Sequence, residues 1–327
     1  MADVFRPAFW LRNPHVQTVL GVFCKGKAFP HRTVRRRVLL EDGDQLVLHD
    51  TTPPGWQPGD PIGLLVHGLC GSHRSGGIVR LARLLLRPGV RVIRLDLRGT
   101  GSGFRWARGS YNAGCSADVR VALEAVHRLA PQSPVWLAGI SLGANVSLKL
   151  AGEAADRPVP GLTKVATIAP PVDLAECIRL IEQPWNRFYE VHFLRDLVRE
   201  ARLRARHFRE PQPSFPRRLS LRTFDDLYTA PRGGFRDASD YYARASSAPF
   251  VSRVQLPTLI LTARDDPFVS WEPIAQLQHP ANVEVRITDH GGHVGYLGRD
   301  GTGGMCWGEW QVAQWLTGSR RLSEPEA

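Results

Sequence analysis

One serine of the chain stands where a nucleophile would be expected. Residues 135–145 contain an apolar run, then Gly-x-Ser-x-Gly centred on Ser141, then a run of helix-forming residues. A strand that turns sharply into a helix would present the Ser141 hydroxyl at the carboxyl edge of a sheet, with helix N–H groups aimed at nearby negative charge. Gly139 and Gly143 fit because a side chain there would collide with the neighbouring strand or helix. The pattern predicts a nucleophile; the alternative is a serine that caps an ordinary strand–helix turn.

A nucleophilic serine requires a base, and the base requires an orienting acid. Asp266 follows a predicted strand in a segment similar to the strand-end pattern Gly-x-x-Asp-x-x-Val. His293 follows the next strand in Gly-Gly-His-x-Gly, whose glycines would give it a flexible, uncrowded backbone. Asp265 and His290 are the alternatives for these two roles. The chain order of serine, acid and histidine is that of α/β-hydrolases.

An acyl-transfer site also needs hydrogen-bond donors for an oxyanion. The loop 67–71 follows the first predicted parallel strand and has the His-Gly-x-x-Gly form of an oxyanion loop. We expect the backbone N–H groups of Leu69 and Leu142 to be the donors. His67 is expected to hold this loop, and Cys70 to be a small loop residue, because Ser141 already supplies a nucleophile.

Cofactors and metals are not predicted. A metal site at His290 and His293 lacks a convincing set of carboxylate or cysteine partners. The five cysteines form no Cys-x-x-Cys pair and are odd in number, which favours free thiols in a reducing compartment.

The composition is that of a globular protein. The chain has 327 residues, of which 43% are hydrophobic and 22% charged. No apolar run approaches the roughly 18 residues of a membrane span, and the N-terminus lacks the layout of a signal peptide. The sequence therefore predicts a soluble, cytoplasmic protein; it does not specify an oligomeric state.

The net charge of +11 raises the question of an anionic partner. The positive residues are mostly arginines spread along the chain, and no nucleic-acid-binding motif is present. We therefore expect no nucleic-acid partner, but weak attraction to a membrane surface is consistent with this charge.

Strand and helix patterns alternate through most of the chain, which predicts a mostly parallel sheet with helices on both faces. A hairpin over 33–49 comes first, and residues 1–32 are expected to form an irregular arm. The predicted strands are 62–66, 90–95, 135–138, 164–169, 257–262 and 282–288, and the predicted helices are 77–86, 117–129, 142–151 and 308–316.

The alternation stops at Pro170-Pro171 and resumes at about residue 257. Between them lie a helix over 193–210, with arginines between its apolar residues, and an aromatic loop ending in Asp240-Tyr241-Tyr242. The arginines, Arg204 among them, are predicted to form a solvated face or the basic face of a lid. The predicted domains are a core with its arm (1–171), a helical cap (172–250) and the second part of the core (251–327).

Taken together, these motifs resemble the YheT-type α/β-hydrolases, which are related to eukaryotic lipases acting on acylglycerols and phospholipids. The segments that carry the similarity are residues 13–18, 67–72, 96–99, 139–145, 224–226, 240–242, 265–268 and 290–295. The resemblance covers nearly the whole chain and implies an α/β-hydrolase fold, a triad of Ser141, Asp266 and His293, and hydrolysis of carboxylic esters. Cys70 departs from the family, whose members often have an acidic or other polar residue there.

The substrates expected on this basis are short- to medium-chain esters or lipid esters that reach the site under the cap. Thioester hydrolysis or acyl transfer could use the same three residues. A ligand-binding protein on a hydrolase scaffold is the alternative from another class; such proteins usually lose a triad residue, and all three candidates are present here.

Overall fold

The computed structural model describes residues 5–24 and 32–318. The outermost parts of the predicted arm and second core segment, residues 1–4 and 319–327, lie outside the described residues, as do residues 25–31. The strands are β1 (Thr33–Leu39), β2 (Gln45–Thr51), β3 (Ile62–Val66), β4 (Arg91–Asp96), β5 (Val135–Ile140), β6 (Leu162–Ile168), β7 (Thr258–Ala263) and β8 (Val283–Thr288). The helices are α1 (Pro14–Phe23), α2 (Gly76–Leu86), α3 (Ser116–Leu129), α4 (Leu142–Glu153), α5 (Leu174–Ile181), α6 (Arg187–Phe208), α7 (Leu221–Phe224), α8 (Ala230–Gly233), α9 (Ala238–Ala245), α10 (Ala248–Val251), α11 (Glu272–Ala275) and α12 (Trp307–Thr317).

The described strands form one sheet in the order β1-β2-β4-β3-β5-β6-β7-β8. β2 pairs antiparallel with β1 and β4, and all other neighbours are parallel. Strands β3, β4 and β5 are buried along their whole length, as expected for central strands covered on both faces. The predicted hairpin, strands and core helices are present, and their ends lie within two residues of the predicted ends.

Successive residues of the central strands enter different cores because side chains alternate across a sheet. Leu64 and Leu137 lie in the core under α3 and α4, whereas Leu65 and Ala138 lie in the core under α2 and α12. Burying each leucine fully contributes roughly 1.5–3 kcal/mol. The two cores fix the sheet from both sides, so the carboxyl ends of its strands form a firm edge.

Helices α5 to α10 lie between β6 and β7 in the chain. Helices α5, α6 and α7 share a hydrophobic cluster that includes Phe224 and Phe268, whereas the buried residues of α8, α9 and α10 belong to the core under α3 and α4. Helix α6 begins six residues before the predicted start. The prediction missed these residues because Phe188 and Val191 point outward and interrupt the apolar spacing of the buried face. The expectation of a loop at Tyr241-Tyr242 is wrong: both lie in α9, which Asp237 caps by accepting a bond from the N–H of Asp240. The division into core and cap domains stays a prediction.

The N-terminal arm is helical where the sequence led us to expect irregular structure. Asn13 caps α1, its side chain accepting bonds from the N–H groups of His15 and Val16. Pro14 occupies the first helical position, where its missing N–H costs nothing. A cap followed by proline was therefore the local signal for this helix.

All five cysteines are free thiols. None of the helices within the described ranges combines the length and the apolar character needed to cross a bilayer.

Candidate active site

Ser141 lies in a strained turn between β5 and α4. Its φ is +55°, in the left-handed region that non-glycine residues rarely adopt. A Cβ at Gly139 would lie 2.3 Å from the carbonyl oxygen of Gly143, and one at Gly143 would lie 2.4 Å from that of His67. Both flanking glycines are therefore required by backbone packing, and the turn directs the serine to the carboxyl edge of the sheet.

The structure brings the three predicted catalytic side chains into hydrogen-bonding contact. The Ser141 Oγ lies 2.9 Å from Nε2 of His293, and Nδ1 of the same ring lies 2.7 Å from Oδ2 of Asp266. The Asp266 side chain is fully buried, and that of His293 is 10% exposed. The other carboxylate oxygen, Oδ1, accepts bonds from the N–H groups of Phe268 and Val269. These bonds hold the carboxylate in one orientation, so that it can fix the imidazole.

The alternative acid and base form a separate pair. Nδ1 of His290 lies 3.2 Å from Oδ2 of Asp265, and Oδ1 of Asp265 accepts a bond from the N–H of Gly292. Burial is the main cause that raises the pKa of Asp265. Neither side chain is bonded to Ser141; instead, Asp265 ties down the loop that carries His293.

The glycines around His293 serve a different purpose from the one we expected. Their backbone is crowded: a Cβ at Gly292 would lie 2.5 Å from the carbonyl oxygen of Pro14, and one at Gly295 would lie 2.5 Å from that of Gln17. The glycines allow α1 to pack directly on the loop. The expectation of a flexible, uncrowded backbone is therefore wrong.

Helix α1 also holds the histidine loop through side chains that sequence reasoning assigned no role. The hydroxyl of Thr18 accepts a bond from the N–H of His293 at 2.9 Å. The buried amide of Gln17 accepts from the N–H of Leu297 and donates to the carbonyls of Leu297 and Leu11. The signal for this role lay in the segment 13–18, which we used only as evidence of family resemblance.

The two predicted oxyanion donors are placed beside the serine. Leu69 and Leu142 line the same cavity as Ser141. A Cβ at Gly68 would lie 3.1 Å from the Ser141 Cβ, so the loop 67–71 packs against the serine. Within the described part of the chain, the N–H groups of Leu69 and Leu142 have no acceptor. Both are therefore available to an oxygen atom bound at Ser141.

Two other residues of this loop have structural contacts. His67 is fully buried; its Nδ1 lies 2.8 Å from the carbonyl oxygen of Gly68, and its Nε2 accepts from the N–H of Leu97. Burial lowers the pKa of His67, which keeps the ring neutral. Burial raises the pKa of the Cys70 thiol, so the reactive thiolate is disfavoured.

A largely apolar cavity extends from Ser141 beneath helices α5, α6 and α7. The space that protein atoms leave unfilled in the cavity and at its opening to solvent is about 990 Å³. Its apolar lining comes from α5, α6, α7 and the loops at the carboxyl edge of the sheet, and includes Leu69, Leu142, Leu174, Ile178, Ile181, Phe193, Leu197, Leu221, Phe224, Phe268 and Val269. Such a lining suits an acyl chain, because each methylene group buried contributes about 0.8 kcal/mol.

Arg204 is fully buried in the cavity wall, and our expectation that it shares an exposed or lid-facing surface with the other arginines of α6 is wrong. Its guanidinium donates to the carbonyls of Ala107 and Gly109 at 2.7 Å and of Gly99 at 2.9 Å. This arginine joins α6 to the segment that follows β4. Its position three residues after the buried Ala201 was the available signal.

A buried carboxylate adds polarity to the same wall. Burial raises the pKa of Asp225 to about 6, and the Tyr242 hydroxyl donates a bond of 2.8 Å to it. The side chain belongs to a single π-helical turn, Asp225–Thr229, which follows α7.

One cluster within the described residues has side chains of metal-ligating types: His49, His73 and Asp96. The two rings stack with centroids 3.4 Å apart, and both donate toward the Asp96 carboxylate at 2.9–3.0 Å. Although burial acts in the opposite direction, these hydrogen bonds hold the pKa of Asp96 well below its usual range. The N–H groups of His73 and Ser102 bond the same carboxylate, so its oxygens already have protein partners and the cluster is structural.

Comparison with known proteins supports this description of the fold. A family model described as alpha/beta hydrolase fold matches residues 64–300. A candidate esterase of Escherichia coli (strain K12), YheT, is 30% identical over 322 residues, which cover 96% of this chain and 93% of that protein. Medium-chain fatty acid ethyl ester synthase/esterase 2 of Saccharomyces cerevisiae is 29% identical and covers 79% of this chain and 62% of its own length. The solved structure of esterase Pf2001 of Pyrococcus furiosus has a TM-score of 0.57 at 17% identity, with 90% of this chain and 97% of that chain covered, and so shares the fold.

Proposed function

The chain belongs to the alpha/beta hydrolase fold family, and from that premise we propose that it is a serine hydrolase that cleaves carboxylic esters. The observation that carries the proposal is the pair of contacts at His293, 2.9 Å to the Ser141 hydroxyl and 2.7 Å to the Asp266 carboxylate. These contacts lie beside an apolar cavity and the N–H groups of Leu69 and Leu142, which have no acceptor among the described residues.

In the acylation step, Nε2 of His293 removes the proton from the Ser141 hydroxyl as Oγ attacks the ester carbonyl carbon. The carbonyl oxygen becomes an oxyanion and accepts bonds from the N–H groups of Leu69 and Leu142. Each such donor is worth about 10²–10³-fold in kcat in comparable sites. The imidazolium then protonates the leaving alcohol, the carbon–oxygen bond to the alcohol breaks, and the acyl group remains on Oγ.

In the deacylation step, a water molecule takes the place of the alcohol. His293 removes a proton from this water as it attacks the acyl carbon, and then returns the proton to Oγ of Ser141 as the acid leaves. Asp266 remains ionised throughout; it holds the imidazole in the tautomer with a proton on Nδ1 and stabilises the imidazolium.

The cavity supports esters with short- to medium-chain or lipid acyl groups as substrates, because its lining is mostly aliphatic and aromatic. Five free thiols suit a reducing compartment; the cytoplasmic location predicted from the sequence stays a prediction.

Acyl transfer is the second candidate reaction. The observation that favours it is the relative from Saccharomyces cerevisiae, whose name combines ester synthase and esterase. The same acyl-enzyme would then be attacked by an alcohol in place of water. Thioester hydrolysis would use the same three side chains with a thiol as the leaving group.

The direct test is hydrolysis of p-nitrophenyl esters from acetyl to palmitoyl by the wild type and by Ser141→Ala. We expect the variant to lose about 10⁴-fold or more in kcat/KM, and the chain-length optimum to report the acyl space of the cavity. Ser252→Ala, a change at an exposed serine after α10, is the matched control. Product analysis with added ethanol separates acyl transfer from hydrolysis.

Equal activity of Ser141→Ala and the wild type would overturn the assignment of the nucleophile. If the wild type hydrolyses none of these esters, labelling with a fluorophosphonate probe tests whether Ser141 is a reactive nucleophile. Labelling that disappears in Ser141→Ala would keep the serine mechanism with a different acyl substrate, whereas absence of labelling would favour a non-catalytic binding protein.

A further inference from the structure

Four large aromatic side chains are strongly exposed in two segments of the chain. Phe9 and Trp10 precede α1 and are 82% and 68% exposed. Trp185, two residues before α6, and Phe188, in the first turn of α6, are 67% and 69% exposed. Single exposed apolar side chains are common, but several large ones close together mark a contact surface.

The two segments meet at a direct contact. The rings of His15 in α1 and Tyr189 in α6 stack with centroids 5.8 Å apart, and Nδ1 of His15 lies 3.0 Å from the tyrosine hydroxyl. Phe188 packs edge-on against Tyr189. The N-terminal arm and the beginning of α6 therefore contribute to one side of the molecule.

The outer face of α6 extends this side with positive charge. Arg195, Arg199, Arg202 and Arg206 follow Phe188 at intervals of seven, four, three and four residues, and so lie in one line along the helix. All are exposed, and Val191 and Leu203 beside them are 50% and 43% exposed. In the part of the chain that the structure describes, Arg199, Arg202 and Arg206 have no acidic partner.

A short chain of contacts connects this side to the reacting histidine. The ring of Tyr189 packs against Phe268 at 5.1 Å between centroids, and Phe268 lies 4.2 Å from the ring of His293. The exposed aromatic and cationic residues therefore adjoin the part of the molecule where an ester would react.

We propose that these residues form a docking surface that seats the enzyme on an anionic phospholipid surface. The docking surface consists of Phe9, Trp10, Trp185, Phe188, Val191, Arg195, Arg199, Arg202, Leu203 and Arg206. Aromatic rings are stable at the headgroup level of a bilayer, and unpaired arginines complement lipid phosphates. The binding itself goes beyond the proposed reaction; the idea that it delivers lipid esters to Ser141 rests on that reaction.

The test uses the full chain with Ser141→Ala, so that no lipid is hydrolysed. Flotation with vesicles of phosphatidylcholine, with and without phosphatidylglycerol, measures partitioning at low and high salt. We expect clear preference for the vesicles with phosphatidylglycerol, weakened by salt because exposed charges are screened. Arg199→Gln with Arg202→Gln should weaken partitioning by about fivefold per arginine.

The contribution of the aromatic side chains to vesicle binding is tested separately. Trp185→Ser with Phe188→Ser should reduce the binding that persists at high salt. The matched control is Arg87→Gln with Arg128→Gln, which removes the same charge at exposed positions after α2 and at the end of α3. These helix ends lie at the sheet edge opposite Ser141, and we expect the control to retain wild-type partitioning within about twofold.

Equal partitioning of the arginine variant and the control, or no preference for phosphatidylglycerol, would overturn the docking surface. So would a dimer in sedimentation velocity that dissociates in the aromatic variant, because the surface would then join two copies of the chain. Ester hydrolysis by the wild type is scored separately: vesicle binding without hydrolysis would contradict the proposed function and leave the docking surface standing.

Discussion

Two aspartate–histidine pairs lie side by side at the carboxyl edge of the sheet, with the same residue types on the same two loops. Asp266 and His293 are 2.7 Å apart, almost completely buried, and bonded to Ser141. Asp265 and His290 are 3.2 Å apart, with side chains 17% and 39% exposed, and are not bonded to the serine. The first pair places an oriented imidazole against Ser141, whereas the second fastens the loop that carries His293.

The difference shows that residue type alone does not define a catalytic group. The side chains of Asp265 and Asp266, which follow β7, point in different directions. Only the Asp266 carboxylate accepts bonds from the N–H groups of Phe268 and Val269. The same contrast recurs elsewhere: Arg202 and Arg204 of α6 are exposed and fully buried respectively. Substituting the members of each pair separately tests the contrast.

The largest effect is expected at the histidines. His293→Gln removes the base, and kcat/KM on the best p-nitrophenyl ester should fall by about 10⁴-fold or more. His290→Gln leaves the contacts of His293 with Ser141 and Asp266 in place, and we expect a change in kcat/KM of less than about tenfold, through the loop only. Comparable losses in the two variants would contradict the distinction between the pairs.

Substitution of the aspartates should lower activity somewhat less than substitution of the histidines. Asp266→Asn keeps the shape but no longer favours the required imidazole tautomer, and kcat should fall by roughly 10³–10⁴-fold with little change in KM. Asp265→Asn should cost less than about tenfold. Steady-state kinetics of both variants, with circular dichroism to monitor folding, measures the contrast; a greater loss in Asp265→Asn would transfer the acid role to that residue.

Substitution of the buried and the exposed arginine of α6 should change the free energy of unfolding by different amounts. Arg204→Met leaves the carbonyls of Gly99, Ala107 and Gly109 without their donor, and the free energy of unfolding should fall by about 3 kcal/mol. Arg202→Met, at an exposed position, should change it by no more than about 0.5 kcal/mol. Urea denaturation of both variants measures the free energies of unfolding. Equal values would show that the bonds from Arg204 to the segment after β4 do not stabilise the fold.

The last effect, which appears only as a dependence on pH, concerns Asp225, whose neighbour Asp226 is only partly buried. Because burial raises the pKa of Asp225 to about 6, the folded state holds a proton that the unfolded state releases at lower pH. The free energy of unfolding should therefore fall as the pH rises from about 4 to about 6, by up to about 3 kcal/mol from this group.

Asp225→Asn should remove this slope, so that the variant gains stability relative to the wild type above about pH 6. Urea denaturation of both proteins on either side of this range measures the change. If wild type and variant differed in free energy of unfolding by the same amount at low and high pH, the pH dependence could not be assigned to Asp225.

Much of the fold could be predicted because the signals are local. Each central strand is a short apolar run between turn residues, and each core helix has its apolar residues at helical spacing, so their ends were found within two residues. The start of α6 was harder to predict. Phe188 and Val191 of α6 face outward, and the spacing that marks a buried helix face is lost in its first turns.

The candidate site shows the same division. Sequence patterns named Ser141, Asp266 and His293, which the structure brings into contact; their catalytic roles are our proposal. The contribution of α1 was not predicted, because Thr18 and His293 are 275 residues apart in the chain. The burial of Arg204 was missed because we assigned the arginines of α6 to one face as a group.

The sequence by itself determined the elements that carry the reactive groups: a strand–turn–helix around Ser141 whose glycines exclude side chains at two close contacts, and strand ends that carry the acid and the histidine. The tertiary structure decided which of two aspartates and two histidines faces the serine, and that α1 packs on the histidine loop. The physical reason is the separation in sequence between the residues that determine each feature. Backbone conformation follows from neighbouring residues, whereas side-chain partners and burial depend on elements that only folding brings together.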